Sequence, residues 1–329
     1  MIVVKFGGSS LAGPERMLAA ARIVAGHVAR EPVVCVVSAM AGVTNQLYAI
    51  AESASRESAD WRASYAELRQ AHEATLAALS SPAGDGEAAT LAPLWGALLA
   101  DLESLAAVPA GCWREQATAV FSAWGERLSV RLFAAALGRV GLDASCFEDA
   151  PVIVERGAAS VAATRVWLRE PMTHMLRVQQ TPVAPGYLAM TQGGCYTTLG
   201  RNGSDYSAAV IAAALDARAL YIYSDVAGIY DADPRIVPQA RLLRALSYDE
   251  AAAIAAGGAR VLHPATIAPL AERGIPLRLR SALTPDAPGT DIGAGCMRAY
   301  TVQPPAYTQL LACVTASASG GRAVRPDAF

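Results

Sequence analysis

An apolar run followed by two glycines, Met1-Ile-Val-Val-Lys5-Phe-Gly-Gly-Ser-Ser10, constrains the fold more than any other segment of this chain. Its β-branched residues predict a buried strand, and a helical pattern follows from about Pro14. A strand that leads through glycines into a helix can cradle phosphate, because its backbone N–H groups converge on the anion. A Gly-Gly pair can also be a simple tight turn, so the pattern alone leaves a structural role open.

Lys5 is the only lysine in the 329 residues, and nearly every other basic position is an arginine. A chain that uses arginine almost everywhere but lysine here indicates a need for a compact, mobile ammonium group. A planar guanidinium does not replace that group. The sequence therefore favours phosphate chemistry at Lys5 over a structural lysine.

The composition is that of a large globular chain, with 53% hydrophobic residues and a mean hydropathy of +0.28. No apolar run approaches the roughly 18 residues of a membrane span, and no signal peptide precedes the first strand. A net charge of −2 with scattered arginines argues against nucleic-acid and membrane partners. The six cysteines form no Cys-x-x-Cys pair, and the four histidines lack metal-ligand spacing. These features predict free thiols, a cytoplasmic location and no protein-built metal site.

The segments that follow alternate between strands and helices. Val33–Ser38 is continuously apolar, which predicts a strand buried on both faces of a parallel sheet, and it leads into a small-residue loop that ends at Asn45. Loops that follow neighbouring parallel strands would form one crevice. Residues 47–141 are mostly helical and predict an insertion. Within it, Gly125 directly precedes Glu126, although glycine costs about 1 kcal/mol in a helix interior. Either another segment approaches closely here, or Glu126 is only a solvated helix charge.

A second polar segment runs from Tyr196 to Asp205 and opens an apolar helix predicted from Tyr206. Its Arg201 and Asp205 could form a simple loop ion pair, which is worth little when exposed. They could also hold the two charged ends of an amino acid, because arginine suits a carboxylate and aspartate suits an ammonium. The strand at 219–223 is followed by a polar loop, 224–235, which should lie at the same edge of the sheet.

In this order, these segments resemble the aspartokinases, a branch of the amino-acid kinase superfamily. The resemblance covers residues 1 to about 292, and eight ordered motifs are far more specific than one. The matching motifs are Lys-Phe-Gly-Gly-Ser-Ser from Lys5, Val-Val-Ser-Ala-Met-Ala-Gly-Val-Thr-Asn ending at Asn45, Gly-Glu-Arg-Leu-Ser from Gly125, Thr-Thr-Leu-Gly-Arg-Asn-Gly-Ser-Asp ending at Asp205, Ser-Asp-Val-Ala-Gly-Ile-Tyr from Ser224, Asp-Pro-Arg from Asp233, Gly-Ala-Arg-Val-Leu-His-Pro from Gly258 and Ala-Pro-Gly-Thr from Ala287.

The resemblance implies an α/β fold: an αβα sandwich with a mostly parallel central sheet and a helical insertion in the N-terminal lobe. Residues 1–292 would form the catalytic domain, with an amino-acid-binding lobe over about 1–185 and a nucleotide-binding lobe over about 186–292. Members of the family commonly continue into ACT domains that bind end-product amino acids. Residues 293–329 are too few for two such domains, which need on the order of 100 residues. We therefore expect activity without end-product feedback.

The resemblance also assigns roles to individual residues. Lys5, with Gly7 and Gly8, would hold the transferring phosphoryl group, and Lys5 and Asp205 would be catalytic. The amino-acid site would contain Ser38, Thr44, Glu126, Arg201, Asn202, Gly203, Ser204 and Asp205. The nucleotide site would contain Lys5, Phe6, Gly7, Gly8, Ser9, Ser224, Asp225, Tyr230, Arg235, Arg260 and Val261. Mg²⁺ would be held mainly by the ATP phosphates and not by protein ligands.

Two positions depart from the family pattern. Asn202 stands where the family usually has a second glycine, and Arg260 replaces the usual lysine. Asparagine tolerates a positive φ, so the turn can survive, but its amide adds bulk beside the expected substrate carboxylates. The expected function is ATP-dependent phosphorylation of the side-chain carboxylate of L-aspartate to 4-phospho-L-aspartate by a cytoplasmic homodimer. The alternatives are a kinase for an aspartate-like acid in a specialised pathway and a non-catalytic nucleotide or amino-acid binding module.

Overall fold

An eight-stranded sheet forms the centre of the protein. The computed structural model describes residues 1–56, 61–80, 90–107, 120–200, 203–256 apart from 233, 235 and 238, 262, and 264–295. The sheet has the order β10-β12-β11-β9-β1-β2-β6-β3. Its strands pair in parallel except at the β11–β12 ladder, which is antiparallel. The strands of the described residues are β1 Ile2–Phe6, β2 Val33–Val37, β3 Ala144–Cys146, β4 Val152–Glu155, β5 Ala158–Ala159, β6 Thr181–Pro185, β7 Leu188–Thr191, β8 Tyr196–Thr198, β9 Leu220–Ser224, β10 Ala245–Leu246, β11 Leu277–Ser281 and β12 Thr290–Ile292.

Helices cover both faces of this sheet. The described helices are α1 Pro14–Val28, α2 Val43–Ser55, α3 Trp61–Leu79, α4 Ala92–Ala106, α5 Trp124–Arg139, α6 Val161–Arg177, α7 Gly203–Ala214, α8 Tyr248–Ala256 and α9 Ile267–Ala271. On one face, Ile2, Val4 and Phe6 pack in the core that includes Met17 of α1 and Phe133 of α5. Side chains alternate along a strand, so Lys5 points to the opposite face, where α7 packs on β1 and β2. The predicted α/β fold with a mostly parallel central sheet is confirmed.

The helical region at 47–141 divides into two parts. Helices α3 and α4 pack on α2 and extend the main hydrophobic core away from the sheet, and the Tyr65 hydroxyl donates to the Trp95 carbonyl at 2.9 Å. Helix α5 instead packs directly on β2, β3 and β6, and the Phe133 ring lies 5.4 Å from the Phe6 ring. The last helix of the predicted insertion is thus a layer of the sandwich itself.

A second, four-stranded sheet was not expected from the sequence. Its order is β5-β4-β7-β8, with β4 and β7 parallel and the outer pairs antiparallel. Tyr196–Thr198, the start of the polar segment that the sequence predicts to open a helix, form β8, because they pair with β7 immediately before them. None of the helices in the described part of the chain is long and apolar enough to cross a bilayer.

Candidate functional site

Four neighbouring strands of the large sheet end at one edge, and backbone hydrogen bonds align the loops that follow them. Gly186 N–H donates to the Val37 carbonyl at 2.8 Å, and Ser38 N–H donates to the Phe6 carbonyl at 3.2 Å. Gly7 N–H donates to the Tyr223 carbonyl at 3.1 Å. The segments after β6, β2, β1 and β9 therefore begin in register. This is the carboxyl edge of the parallel strands, where open α/β sheets bind ligands.

Lys5 and Asp205 form a buried ion pair at this edge. Lys5 is in the central strand β1, only 7% of its surface is exposed, and its Nζ lies 2.5 Å from Asp205 Oδ1. Asp205 belongs to the first turn of α7, where a negative charge is favoured by the helix dipole. A Cβ added at Gly7 would lie 3.7 Å from Lys5 Nζ. The ammonium group is thus placed beside the glycine loop that the sequence predicts to hold phosphate.

The glycine loop also contacts the loop after β2. A Cβ added at Gly8 would lie 2.8 Å from the Ala39 carbonyl oxygen, closer than real Cβ contacts come. Only glycine lets the two backbones approach in this way. The loops after β1 and β2 are therefore neighbours at this edge, as expected, and Ser38 begins the second loop as a half-buried residue.

Glu126 lies on α5 and is almost completely buried, with 3% of its surface exposed. The backbone N–H groups of Ala39 and of Glu126 itself, together with the Lys5 ammonium, favour the charged form of its carboxyl and act to lower its pKa. Its Oε2 atom is buried and has no hydrogen-bond partner among the described residues. Burial outweighs these favourable contacts and raises the pKa of the Glu126 carboxyl to about 8. The solvated-charge interpretation of Glu126 is therefore wrong.

The first turn of α7 adds Ser204 and Asp205 to the residues at this edge of the sheet. The helix begins at Gly203, three residues before the predicted start at Tyr206, so Ser204 and Asp205 are helical. Serine and aspartate suit this first turn, because they can pair with its free N–H groups and its positive dipole end. A Cβ added at Gly186 would lie 2.7 Å from Ser204 Cβ. The glycine after β6 therefore lets α7 begin directly against the sheet edge.

Ser224 is the last residue of β9, and the loop that follows carries Asp225 and Tyr230. Ser224 Oγ accepts from Val226 N–H at 3.3 Å within the loop, and Asp225 is exposed to solvent. Because β9 is the neighbour of β1, these residues lie at or after the end of the strand beside Lys5. A loop at this position can reach a ligand that lies on the glycine loop.

Thr290, on β12, holds the loop after β9 in place through hydrogen bonds, and it was not predicted as a site residue. It is fully buried, its hydroxyl accepts from Ile229 N–H at 2.9 Å, and it donates to the Leu243 carbonyl at 2.6 Å. A Cβ added at Gly228 would lie 2.3 Å from Thr290 Oγ1. The motif Ala-Pro-Gly-Thr, which ends at Thr290, was the available sequence signal.

The other residues predicted for the amino-acid and nucleotide sites lie in several different elements. Thr44 is half-buried in the first turn of α2, and Ser9 is half-buried in the short 3₁₀ helix Gly8–Leu11. The Phe6 ring is in the core, stacked 5.3 Å from the Tyr223 ring, so only the Phe6 backbone faces the site edge. Within the described ranges, no group of three or more His, Cys, Asp or Glu side chains could hold a metal ion. Five predicted residues lie outside the described residues: Arg201, Asn202, Arg235, Arg260 and Val261.

Comparison with known protein sequences adds an independent observation. The model of the amino acid kinase family matches residues 1–281. The chain is 32% identical over 315 residues to the bifunctional aspartokinase/homoserine dehydrogenase of Haemophilus influenzae, across 94% of this chain and 38% of that protein. It is 34% identical over 300 residues to the chloroplastic aspartokinase 3 of Arabidopsis thaliana, across 88% of this chain and 52% of that protein.

Solved structures give the same result. The crystal structure of E. coli aspartokinase III in complex with aspartate and ADP is similar, with a TM-score of 0.78 and 31% sequence identity. The match covers 89% of this chain and 64% of that one. The chain therefore spans between 38% and 64% of the length of these three relatives. With the family model matched over most of its length and the fold and motifs in agreement, this chain belongs to the amino acid kinase family.

Proposed function

We propose that this chain is an ATP-dependent kinase that phosphorylates the side-chain carboxylate of L-aspartate and gives 4-phospho-L-aspartate. The observation that carries the proposal is the buried Lys5 ammonium, 2.5 Å from Asp205 and beside the glycine loop, at the edge where four parallel strands end. The names of the similar proteins, aspartokinases among them, support the same activity.

The chemistry needs few protein groups. A side-chain carboxylate is already ionised near neutral pH, so no general base has to activate the nucleophile. Catalysis then consists of in-line positioning and of neutralising charge on the transferring phosphoryl group. Lys5 supplies a fixed positive charge, and the backbone of Gly7 and Gly8 leaves room for the phosphate to approach. Bound Mg²⁺, held mainly by the ATP phosphates, would neutralise further charge.

The contacts also indicate how the amino acid is held. Asp205 already pairs with Lys5. In the proposal, the buried Oε2 atom of Glu126, which has no hydrogen-bond partner among the described residues, accepts from the ammonium of the substrate. Ser38, Thr44 and Ser204 also contact the amino acid in this proposal. In the proposal, Arg201 pairs with a substrate carboxylate, and Ser224, Asp225 and Tyr230 contact the nucleotide.

The proposal is tested by acyl-phosphate formation with Mg-ATP, trapped as the hydroxamate, for L-aspartate and a panel of related acids. Turnover of aspartate above all other acids is the expected result. Turnover of an analogue in place of aspartate would instead support the kinase of a specialised pathway, with Asn202 as the first residue to exchange for glycine. ATP binding without turnover of any acid would contradict the kinase and support the binding module.

The loop after β9 gives a prediction that is specific to the nucleotide. In Thr290→Val, the Ile229 N–H and the Leu243 carbonyl both lose their partner inside the protein, which costs about 2–4 kcal/mol of folding stability. Because the loop follows Ser224 directly and carries Asp225, we also expect the KM for ATP to rise about tenfold while the KM for the amino acid changes little. Thr290→Ser keeps the hydroxyl and is the matched control. An unchanged KM for ATP in a folded Thr290→Val variant would contradict this role.

Several expectations from the sequence stay predictions. These are the division into two lobes near residue 185, the homodimer, the cytoplasmic location and the insensitivity of the 329-residue chain to end-product amino acids.

A further inference from the structure

Gly125 stands in the first turn of α5, directly before Glu126, where glycine is a poor helix former. A Cβ added there would lie 2.7 Å from Ala39 Cβ, 3.1 Å from Val43 Cγ1 and 3.4 Å from Leu47 Cδ1. All three atoms belong to the segment that runs from the end of β2 into α2. The absence of a side chain at Gly125 therefore sets how closely α5 packs against this segment.

This packing distance also determines the surroundings of the Glu126 carboxyl. Ala39 supplies both the nearest side-chain atom to position 125 and a backbone N–H group that favours the charged form of the Glu126 carboxyl. A helix that moved away from Ala39 would carry the carboxyl away from this N–H group and open a path for water to a side chain that is now only 3% exposed. The charged groups that face the carboxyl from other elements are Lys5 of β1 and, through it, Asp205 of α7.

We propose that Gly125 is a positioning residue: by letting α5 seat on Ala39, it holds the Glu126 carboxyl dry and aimed at the ammonium of the amino-acid substrate. The inference rests on the proposed function, because it assigns the free Oε2 atom to that substrate. Gly125 itself touches no reactant. It acts only by setting the position of Glu126. Its substitution should therefore weaken amino-acid binding and leave phosphoryl transfer at Lys5 unchanged.

The test is the Gly125→Ala variant, in which the added methyl group must push α5 and the β2–α2 segment apart. Above pH 8, where the Glu126 carboxyl is ionised in both proteins, we expect the KM for the amino acid to rise at least tenfold, because the displaced carboxylate no longer reaches the substrate ammonium. The kcat and the KM for ATP should stay within about threefold. We also expect the pH profile of the amino-acid KM to move to lower pH, because water then reaches the Glu126 carboxyl and favours its charged form. A merely structural role for Gly125 would not move this profile.

Gly26 provides the matched control. It is also a helical glycine, in α1, but a Cβ added there would meet no atom within 4 Å. Gly26→Ala should therefore leave both KM values and kcat unchanged and give a melting temperature equal to or above that of the wild type.

A swap of the two small residues provides the rescue. In Ala39→Gly/Gly125→Ala the closest contact, 2.7 Å, is removed, and only the 3.1 Å contact with Val43 remains tight. We expect the double variant to recover at least half of the loss in amino-acid KM, measured on a logarithmic scale. If Gly125→Ala does not fold, the double variant carries the test: folding with an amino-acid KM within about threefold of wild type supports the inference. An unfolded double variant, or a folded one with a weakened KM, overturns it.

The two proposals can fail separately. A wild-type chain that turns over no acid would contradict the proposed function. A wild-type chain that is active, with a Gly125→Ala variant whose amino-acid KM and pH profile are unchanged, would overturn this inference alone.

Discussion

Replacing Lys5 with arginine should lower kcat about 1,000-fold, the largest effect expected for any single substitution in this chain. Lys5 Nζ lies 2.5 Å from Asp205, and only 7% of the surface of Lys5 is exposed. A guanidinium is larger and planar, and it would bind the Asp205 carboxylate through two nitrogens and turn away from the phosphoryl group. Loss of one preorganised positive group at a transferring charge costs up to about 4 kcal/mol of transition-state stabilisation, which corresponds to about 1,000-fold in rate. Initial rates under saturating Mg-ATP and amino acid measure the effect.

The same variant should keep its fold. Arginine preserves the positive charge next to Asp205, so no buried carboxylate is left unpaired, and only overpacking of about 1–3 kcal/mol is expected. Lys5→Ala is the informative comparison, because it removes the charge and should lower both turnover and stability. Thermal unfolding followed by circular dichroism separates the two effects. Turnover close to wild type in Lys5→Arg would refute the role assigned to the ammonium group.

The second large effect concerns Glu126 and pH. Burial raises the pKa of the Glu126 carboxyl to about 8, from 4.5 in an exposed glutamate. Between pH 4.5 and pH 8 the folded state therefore binds more protons at this residue than the unfolded state, so its contribution to stability falls as pH rises. Glu126→Gln removes this dependence. We expect the variant to gain stability relative to wild type between pH 5 and pH 9, by up to about 4 kcal/mol, in chemical denaturation.

The same substitution, Glu126→Gln, should increase stability but weaken binding of the amino acid. The ionised carboxylate binds the substrate ammonium, so the wild-type KM for the amino acid should fall as pH rises from 6 to 8. In Glu126→Gln we expect this KM to rise 10- to 100-fold and to lose its pH dependence, with the KM for ATP unchanged. Glu73→Gln is the control. The Glu73 side chain lies on α3, is 40% exposed and is not among the residues of the candidate site. A stability difference between wild type and Glu126→Gln that stays flat with pH would show that the carboxyl is not desolvated.

Local sequence patterns were sufficient for the alternating order of strands and helices. The apolar run before Lys5 and the continuously apolar Val33–Val37 both form central strands, because strands buried on both faces leave no room for polar alternation. The glycines and the single lysine of the first loop were also informative. They mark a position where the backbone approaches another loop and where a compact cation is enclosed.

The contacts that decide the site could not be predicted, because they join residues far apart in the chain. Nothing near Gly125 in the sequence indicates that it would meet Ala39, and nothing near Gly228 indicates Thr290. The raised pKa of Glu126 likewise depends on burial by distant segments and not on its neighbours in the helix. The strand β8 was missed for the same reason: three polar residues form a strand because β7 offers a free edge.

The buried position of the single lysine has a practical consequence for spectroscopy. Growth of the expression culture on ¹⁵N-lysine would label one side-chain ammonium in the whole molecule, and that group lies 2.5 Å from Asp205. Its burial should slow the exchange of its protons with water, which makes the signal observable. No resonance assignment is needed, since no other lysine side chain contributes a peak. The chain thus contains a built-in reporter whose chemical shift follows ligand entry and the ionisation of neighbouring carboxyl groups.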